Sequence, residues 1–120
     1  MRAGAPILVV DDDAAVREAV GFILSELGYL TEGASGADDA LGRFRPGRYR
    51  LVITDLAMPV MNGLELAGRL RALEPALPIL IFSGHGGWTD WPPGLTGVAM
   101  ARKPDVDTLA RLVLRALTPS

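Results

Sequence analysis

Asp11, Asp12 and Asp13 stand together after the apolar run Ile7–Val10, and Asp55 directly follows a second run, Leu51–Thr54. Two carboxylates about 4 Å apart repel by roughly 4 kcal/mol at an effective dielectric of 20, so acids drawn to one place call for a cation. The chain has no cysteine and one histidine. An all-oxygen ligand set favours a hard ion, Mg²⁺ over zinc. Asp13 reads more simply as a helix N-cap; for Asp11, Asp12 and Asp55 the metal reading is the stronger. Ser83 closes a third apolar run, and Lys103 follows a short fourth one. Lys103 is the single lysine among twelve basic residues, as expected where a compact point charge is needed. Alone, these two would be an ordinary turn residue and a solvated cation. With the acids they compose a site of phosphoryl size, supplied with a metal, a hydroxyl and an ammonium.

Such a site needs strands that end side by side. Ile7–Val10, Leu51–Thr54 and Leu77–Phe82 are nearly continuous apolar runs, which suits parallel strands covered on both faces. Tyr29–Glu32 and Val98–Ala101 read as two shorter strands. Helical stripes alternate with them. Val16, Val20, Ile23 and Leu27 form the first, closed by Gly28. Ser35 is the expected N-cap of a second, with Asp38 three residues on and Ala37, Leu41 and Phe44 as its apolar side. Asn62 caps a third carrying Leu66, Leu70 and Leu73, and Pro75 ends it. Leu109, Leu112, Val113, Ala116 and Leu117 mark the last, from Asp105 or Asp107 onward. The alternation predicts an α/β doubly wound parallel sheet, and ligands bind such sheets beyond the carboxyl ends of the strands.

One connection breaks the pattern. Between Phe82 and Val98 the chain reads SGHGGWTDWPPGLTG. Gly86 and Gly87 disfavour a helix by about 1 kcal/mol each and Pro93 inside one by about 3, so the crossover helix here is expected to be missing or vestigial and the loop mobile. Trp88 and Trp91 then either fold over the sheet face left bare, the preferred reading, or form an exposed partner or homodimer surface. Arg43, Arg45, Arg48 and Arg50 read as a solvated helix end and turn.

The 120 residues make one domain, 49 % hydrophobic and 22 % charged, with a formal net charge of −2. No basic excess points to direct nucleic-acid binding. No apolar run approaches a membrane span and no signal-peptide core follows Met1, so a soluble cytoplasmic protein without a membrane partner is expected.

The segments ILVVDDD, LVITDLAMPVMNGLEL, PILIFSG and ARKP, in this order across nearly the whole chain, resemble response-regulator receiver domains of two-component signalling. The SGH…KP arrangement is similar to receivers attached to hybrid histidine kinases. The resemblance implies a flavodoxin-like five-stranded sheet of order 2-1-3-4-5 over residues 1–120, with the fourth of five helices missing or vestigial. It implies that Asp55 accepts a phosphoryl group from a sensor histidine kinase or phosphotransfer protein. Asp12, Asp55 and the Ala57 carbonyl would hold Mg²⁺, with Asp11 acting directly or through water. Ser83 would bond a phosphoryl oxygen and Lys103 would pair with the phosphoryl or with Asp55. The Lys103-Pro104 bond would be cis, and Met58-Pro59 and Gly63 would shape the loop after the acceptor. His85 and Ala57 occupy positions that tune dephosphorylation. Met100 stands where the family carries an aromatic, which puts the usual aromatic switch in doubt. No output domain follows, so an unidentified partner would carry the signal, unless the chain is a fragment.

Such a domain assists its own phosphoryl transfer but is not a turnover enzyme. Two rivals remain open. A pseudo-receiver would work by contacts alone. A haloacid-dehalogenase-like phosphatase would use Asp11 as nucleophile and Asp13 as acid–base, leaving Asp55 unexplained. A serine–histidine–aspartate hydrolase has no GxSxG elbow to support it, and no phosphate-binding glycine loop argues for a nucleotide.

Overall fold

The computed structural model describes residues 4–84 and 95–118. Five strands and four helices alternate: β1 (Ile7–Val10), α1 (Ala14–Glu26), β2 (Thr31–Ala34), α2 (Ala37–Arg43), β3 (Leu51–Thr54), α3 (Gly63–Leu73), β4 (Ile79–Ser83), β5 (Val98–Arg102) and α4 (Val106–Leu117). The sheet is parallel throughout, in the order β2-β1-β3-β4-β5. This is the flavodoxin-like order, in which the sequence of strand addition reverses between β1 and β3. β1, β3 and β4 are buried along their whole lengths. Their unbroken apolar runs follow from this, since both faces are covered.

Alternate side chains feed two cores. Leu8, Val10, Val52, Ile79 and Ile81 pack on one face with Leu66 and Leu70 of α3 and Ala40 of α2. Ile7, Val9, Ile53, Leu80 and Phe82 pack on the other with Val20 and Leu24 of α1 and Leu109 and Val113 of α4. The helix starts are set locally. Asp13, Asn62 and Asp105 each accept a backbone N–H of the first turn, from Ala15, Glu65 and Thr108 at 2.9 Å.

Four expectations need correction. The second strand lies at Thr31–Ala34 and not Tyr29–Glu32, because Gly28 (φ +92) turns the chain and Tyr29 and Leu30 complete the return to the sheet. In α1 the buried residues are Val20 and Leu24, while Leu27 lies at the C-cap and is exposed. Ser35 does not cap α2. Gly36 is the N-cap without a side-chain bond, and Asp39 reaches back instead to accept from the Ser35 N–H at 3.0 Å. Leu73, at the end of α3, is likewise exposed. Among the described residues no helix lies between β4 and β5. The expected loss of that helix, and the placement of His85, Trp88 and Trp91, fall on residues 85–94, outside the described residues. No helix among the described residues is long and apolar enough to cross a membrane.

Candidate functional site

Val10 of β1 and Thr54 of β3 are in register, so the next residue of each strand leaves the sheet at the same level. Two backbone bonds extend the ladders by that residue: Asp55 N–H donates to Val10 O at 2.9 Å, and Asp11 N–H to Ala34 O at 3.1 Å. The side chains of Asp11 and Asp55 are thereby held over the β1/β3 switch point, where parallel sheets bind ligands. Oxygen atoms of Asp11, Asp12 and Asp55 all lie within 4.8 Å of one another. Asp11 and Asp55 are buried, and Asp12 is exposed at the rim. Three carboxylates, with no softer donor beside them among the described residues, fit a hard divalent cation, and Asp12 is open to solvent.

Lys103 enters from the far side of the sheet. Its N–H donates to Ser83 O at 3.0 Å, which continues the β4–β5 ladder past Arg102. Its Nζ lies 2.7 Å from Asp11 Oδ2 and 3.4 Å from Asp55 Oδ2. Burial works to lower the Lys103 pKa, but the hydrogen bond and charge of Asp11, with the charge of Asp55, outweigh it and hold the ammonium above its ordinary value. Asp11 shows the opposite balance. Burial raises its carboxyl above the ordinary value, and the bonds from Lys103 and from the Asp13 N–H offset only part of that. Asp11 is the more buried of the two, its side chain 4 % exposed against 21 % for Lys103, so desolvation weighs more on the acid. Ser83 is buried at the end of β4, two residues beyond Ile81, which pairs with Thr54. Asp11, Asp12, Asp55 and Lys103 therefore meet at the carboxyl edge of the sheet, and Ser83 ends β4 at that same edge. The Lys103-Pro104 bond is cis.

The loop after Asp55 is tied to it by its backbone. Leu56 N–H donates to Asp55 Oδ1 at 2.8 Å, and the buried Thr54 hydroxyl donates to Asp55 O at 2.9 Å. Ala57 is exposed in this loop, beside Met58 and Pro59. Gly63 then returns so closely that a Cβ there would overlap the Asp55 carbonyl oxygen and come within 3.0 Å of its carbon. Its N–H donates to Leu56 O at 2.7 Å. Gly63 thus opens α3 directly beneath the Asp55 carbonyl.

Asp13 is the N-cap of α1, its side chain accepting from the Ala15 N–H, which is the simpler of its two readings. The basic stretch is absorbed locally. Arg43 pairs with Asp39, Arg48 with Glu32, Arg45 donates to the Phe44 carbonyl, and Arg50 lies over the Tyr29 ring. Met100 is 42 % exposed on β5, in register with Ile81. One contact escaped the reading of the sequence: Arg17, in the second turn of α1, donates through Nη1 to the Asp11 carbonyl at 2.6 Å. A basic residue one turn into a helix that follows an acidic triplet is the only signal for it.

Residues 7–99 match the response regulator receiver domain family. The chain is 36 % identical over 93 residues to the two-component response regulator PhoP of Pseudomonas aeruginosa, covering 78 % of this chain and 41 % of that one. It spans about two fifths of the length of the first curated relatives that it matches. The receiver domain from the hybrid histidine kinase CckA superposes with a TM-score of 0.78 at 30 % identity, over 95 % of this chain and all of that one. The response regulator TrrA of Thermotoga maritima, in complex with Mg²⁺-BeF, superposes with a TM-score of 0.79 at 31 % identity, over 94 % and 99 % of the two chains. With its sheet order, its converging aspartates and these likenesses, the chain belongs to the response regulator receiver domain family.

Proposed function

We propose that this receiver domain is a phosphorylation-controlled switch in which Asp55 accepts the phosphoryl group. One observation carries the reading: three carboxylates from β1 and β3 converge within 4.8 Å beneath an ammonium from β5. The Asp55 carboxylate is the nucleophile. Its oxygen forms a bond to phosphorus as the N–P bond of a phosphohistidine breaks and the imidazole leaves with the electron pair. Asp12, Asp55 and the Ala57 carbonyl, with Asp11 directly or through water, would hold Mg²⁺, which when bound offsets charge on the phosphoryl oxygens. Lys103 exchanges part of its pairing with Asp11 and Asp55 for a phosphoryl oxygen, and the Ser83 hydroxyl donates to another. The donor is a sensor histidine kinase or a phosphotransfer protein, and a protein partner receives the signal.

Exposed Met100 favours a second reading, a module that works by contacts alone. Incubation with a small phosphodonor and Mg²⁺, followed by intact mass, separates the two. The first reading expects one added phosphoryl group, absent in Asp55→Asn and released by hydroxylamine as an acyl phosphate is. No adduct, or one that persists in Asp55→Asn, overturns it.

A further inference from the structure

The carbonyl of Asp11 lies just past the end of β1, under a buried residue, and a carbonyl there needs a donor. Arg17 supplies it. The 2.6 Å bond from its Nη1 is charge-assisted, and such bonds are about twice as strong as neutral ones. The rest of the acidic turn is fixed from the other side: Asp13 N–H donates to Asp11 Oδ1 at 2.9 Å, and the Asp13 side chain caps α1. The peptide between Asp11 and Asp12 is thus pinned at its carbonyl, and its orientation sets where the Asp12 side chain leaves the backbone. A second, independent feature points to the same guanidinium. Gly33 lies in β2 opposite Val9, and a Cβ there would stand 3.3 Å from Arg17 Cδ and 3.6 Å from its Nε. Glycine weakens a strand interior and marks the close approach of another group; here that group is the Arg17 stem.

We propose that Arg17 is a positioning residue of the acid site, holding the Asp11 carbonyl so that Asp11 and Asp12 face a divalent cation together, and that Gly33 provides the space its stem requires. The proposal rests on reading the three aspartates as a cation site.

Isothermal titration with Mg²⁺ tests it on wild type, Arg17→Ala, Arg17→Lys, Gly33→Ala and the Arg17→Ala/Gly33→Ala double variant, with thermal melts in EDTA alongside. Arg17→Ala should weaken Mg²⁺ binding about tenfold, as losing a partner that orients a metal ligand does. Arg17→Lys should recover part of this by keeping a charged donor. Gly33→Ala should weaken binding about threefold in the wild type and not at all when Arg17 is already absent, since coupled residues are non-additive. Unchanged Mg²⁺ affinity in Arg17→Ala and Gly33→Ala, with only the melting temperature lowered, overturns the proposal and leaves the cation site standing. An equal Gly33→Ala effect in both backgrounds overturns the part assigned to Gly33. A wild type that binds no Mg²⁺ overturns the proposal together with the cation reading. Should Arg17→Ala fail to fold, Arg17→Lys and Gly33→Ala carry the same decision.

Discussion

Lys103 shows how closely single charges are balanced at the sheet edge. Its ammonium is the cation that the structure sets against Asp11 and Asp55, and Asp11 is already raised by burial. In the absence of metal, Lys103→Met should cost about 2 kcal/mol. That lies below the 3–5 typical of a broken, fully buried pair, because Lys103 keeps some solvent contact. Adding Asp11→Asn should recover most of the loss, as read from urea unfolding in EDTA. Gly63 is constrained by space instead of charge. Gly63→Ala should destabilise by about 3 kcal/mol or more, because the added carbon meets the backbone of Asp55 and Leu56 and no flexible side chain is there to yield. Asp55 and Lys103 were legible in the sequence because strand ends expose them to chemistry. Arg17 and the overlap at Gly63 were not, because no spacing rule says where a carbonyl points after a strand stops.

At the level of elements, β2 is joined to the α2–β3 connection by a polar network of Glu32, Arg48 and Tyr49. The Tyr49 ring is fully buried against Phe44, and its hydroxyl donates to Glu32 Oε1 at 2.7 Å. Burial, with the Glu32 carboxylate behind it, pushes the Tyr49 phenol up to about 12 from its ordinary 10.0. A raised folded pKa means stability that is complete below pH 10 and is lost as pH rises through 12. The absorbance difference between wild type and Tyr49→Phe should therefore titrate near 12 in the folded protein and near 10 in urea. Tyr49→Phe should cost about 1 kcal/mol at neutral pH, the usual net worth of one hydrogen bond, and the cost should shrink in strong alkali. The three apolar strands β1, β3 and β4 were visible as uninterrupted runs, and β1 and β3 at their observed bounds. The capped helices α1, α3 and α4 were visible through Asp13, Asn62 and Asp105. The start of α2 was not, because Ser35 and Asp39 satisfy the same amides in more than one way, and pattern alone does not choose between them.

For the molecule as a whole, a cation that binds the assembled acids and not the unfolded chain must add stability by mass action. Mg²⁺ at a hundredfold excess over its Kd should contribute about 2.7 kcal/mol, seen as a higher melting temperature than in EDTA. Asp12→Asn and Asp55→Asn should each remove most of that gain, and a gain of equal size in both would count against the site. The order of the five strands was legible only by resemblance, since alternating elements restrict a parallel sheet to a few topologies without selecting one.

The fit between Gly63 and the Asp55 carbonyl also bears on transplanting this chemistry. An aspartate placed at the end of a strand in some other α/β scaffold would reproduce the carboxylate but not its seat. The following helix must approach bare of any side chain, and the Thr54 hydroxyl must hold the carbonyl from its own side. The smallest portable piece is therefore the whole stretch from Thr54 to Gly63, and libraries that randomise its last position will return mostly misfolded clones.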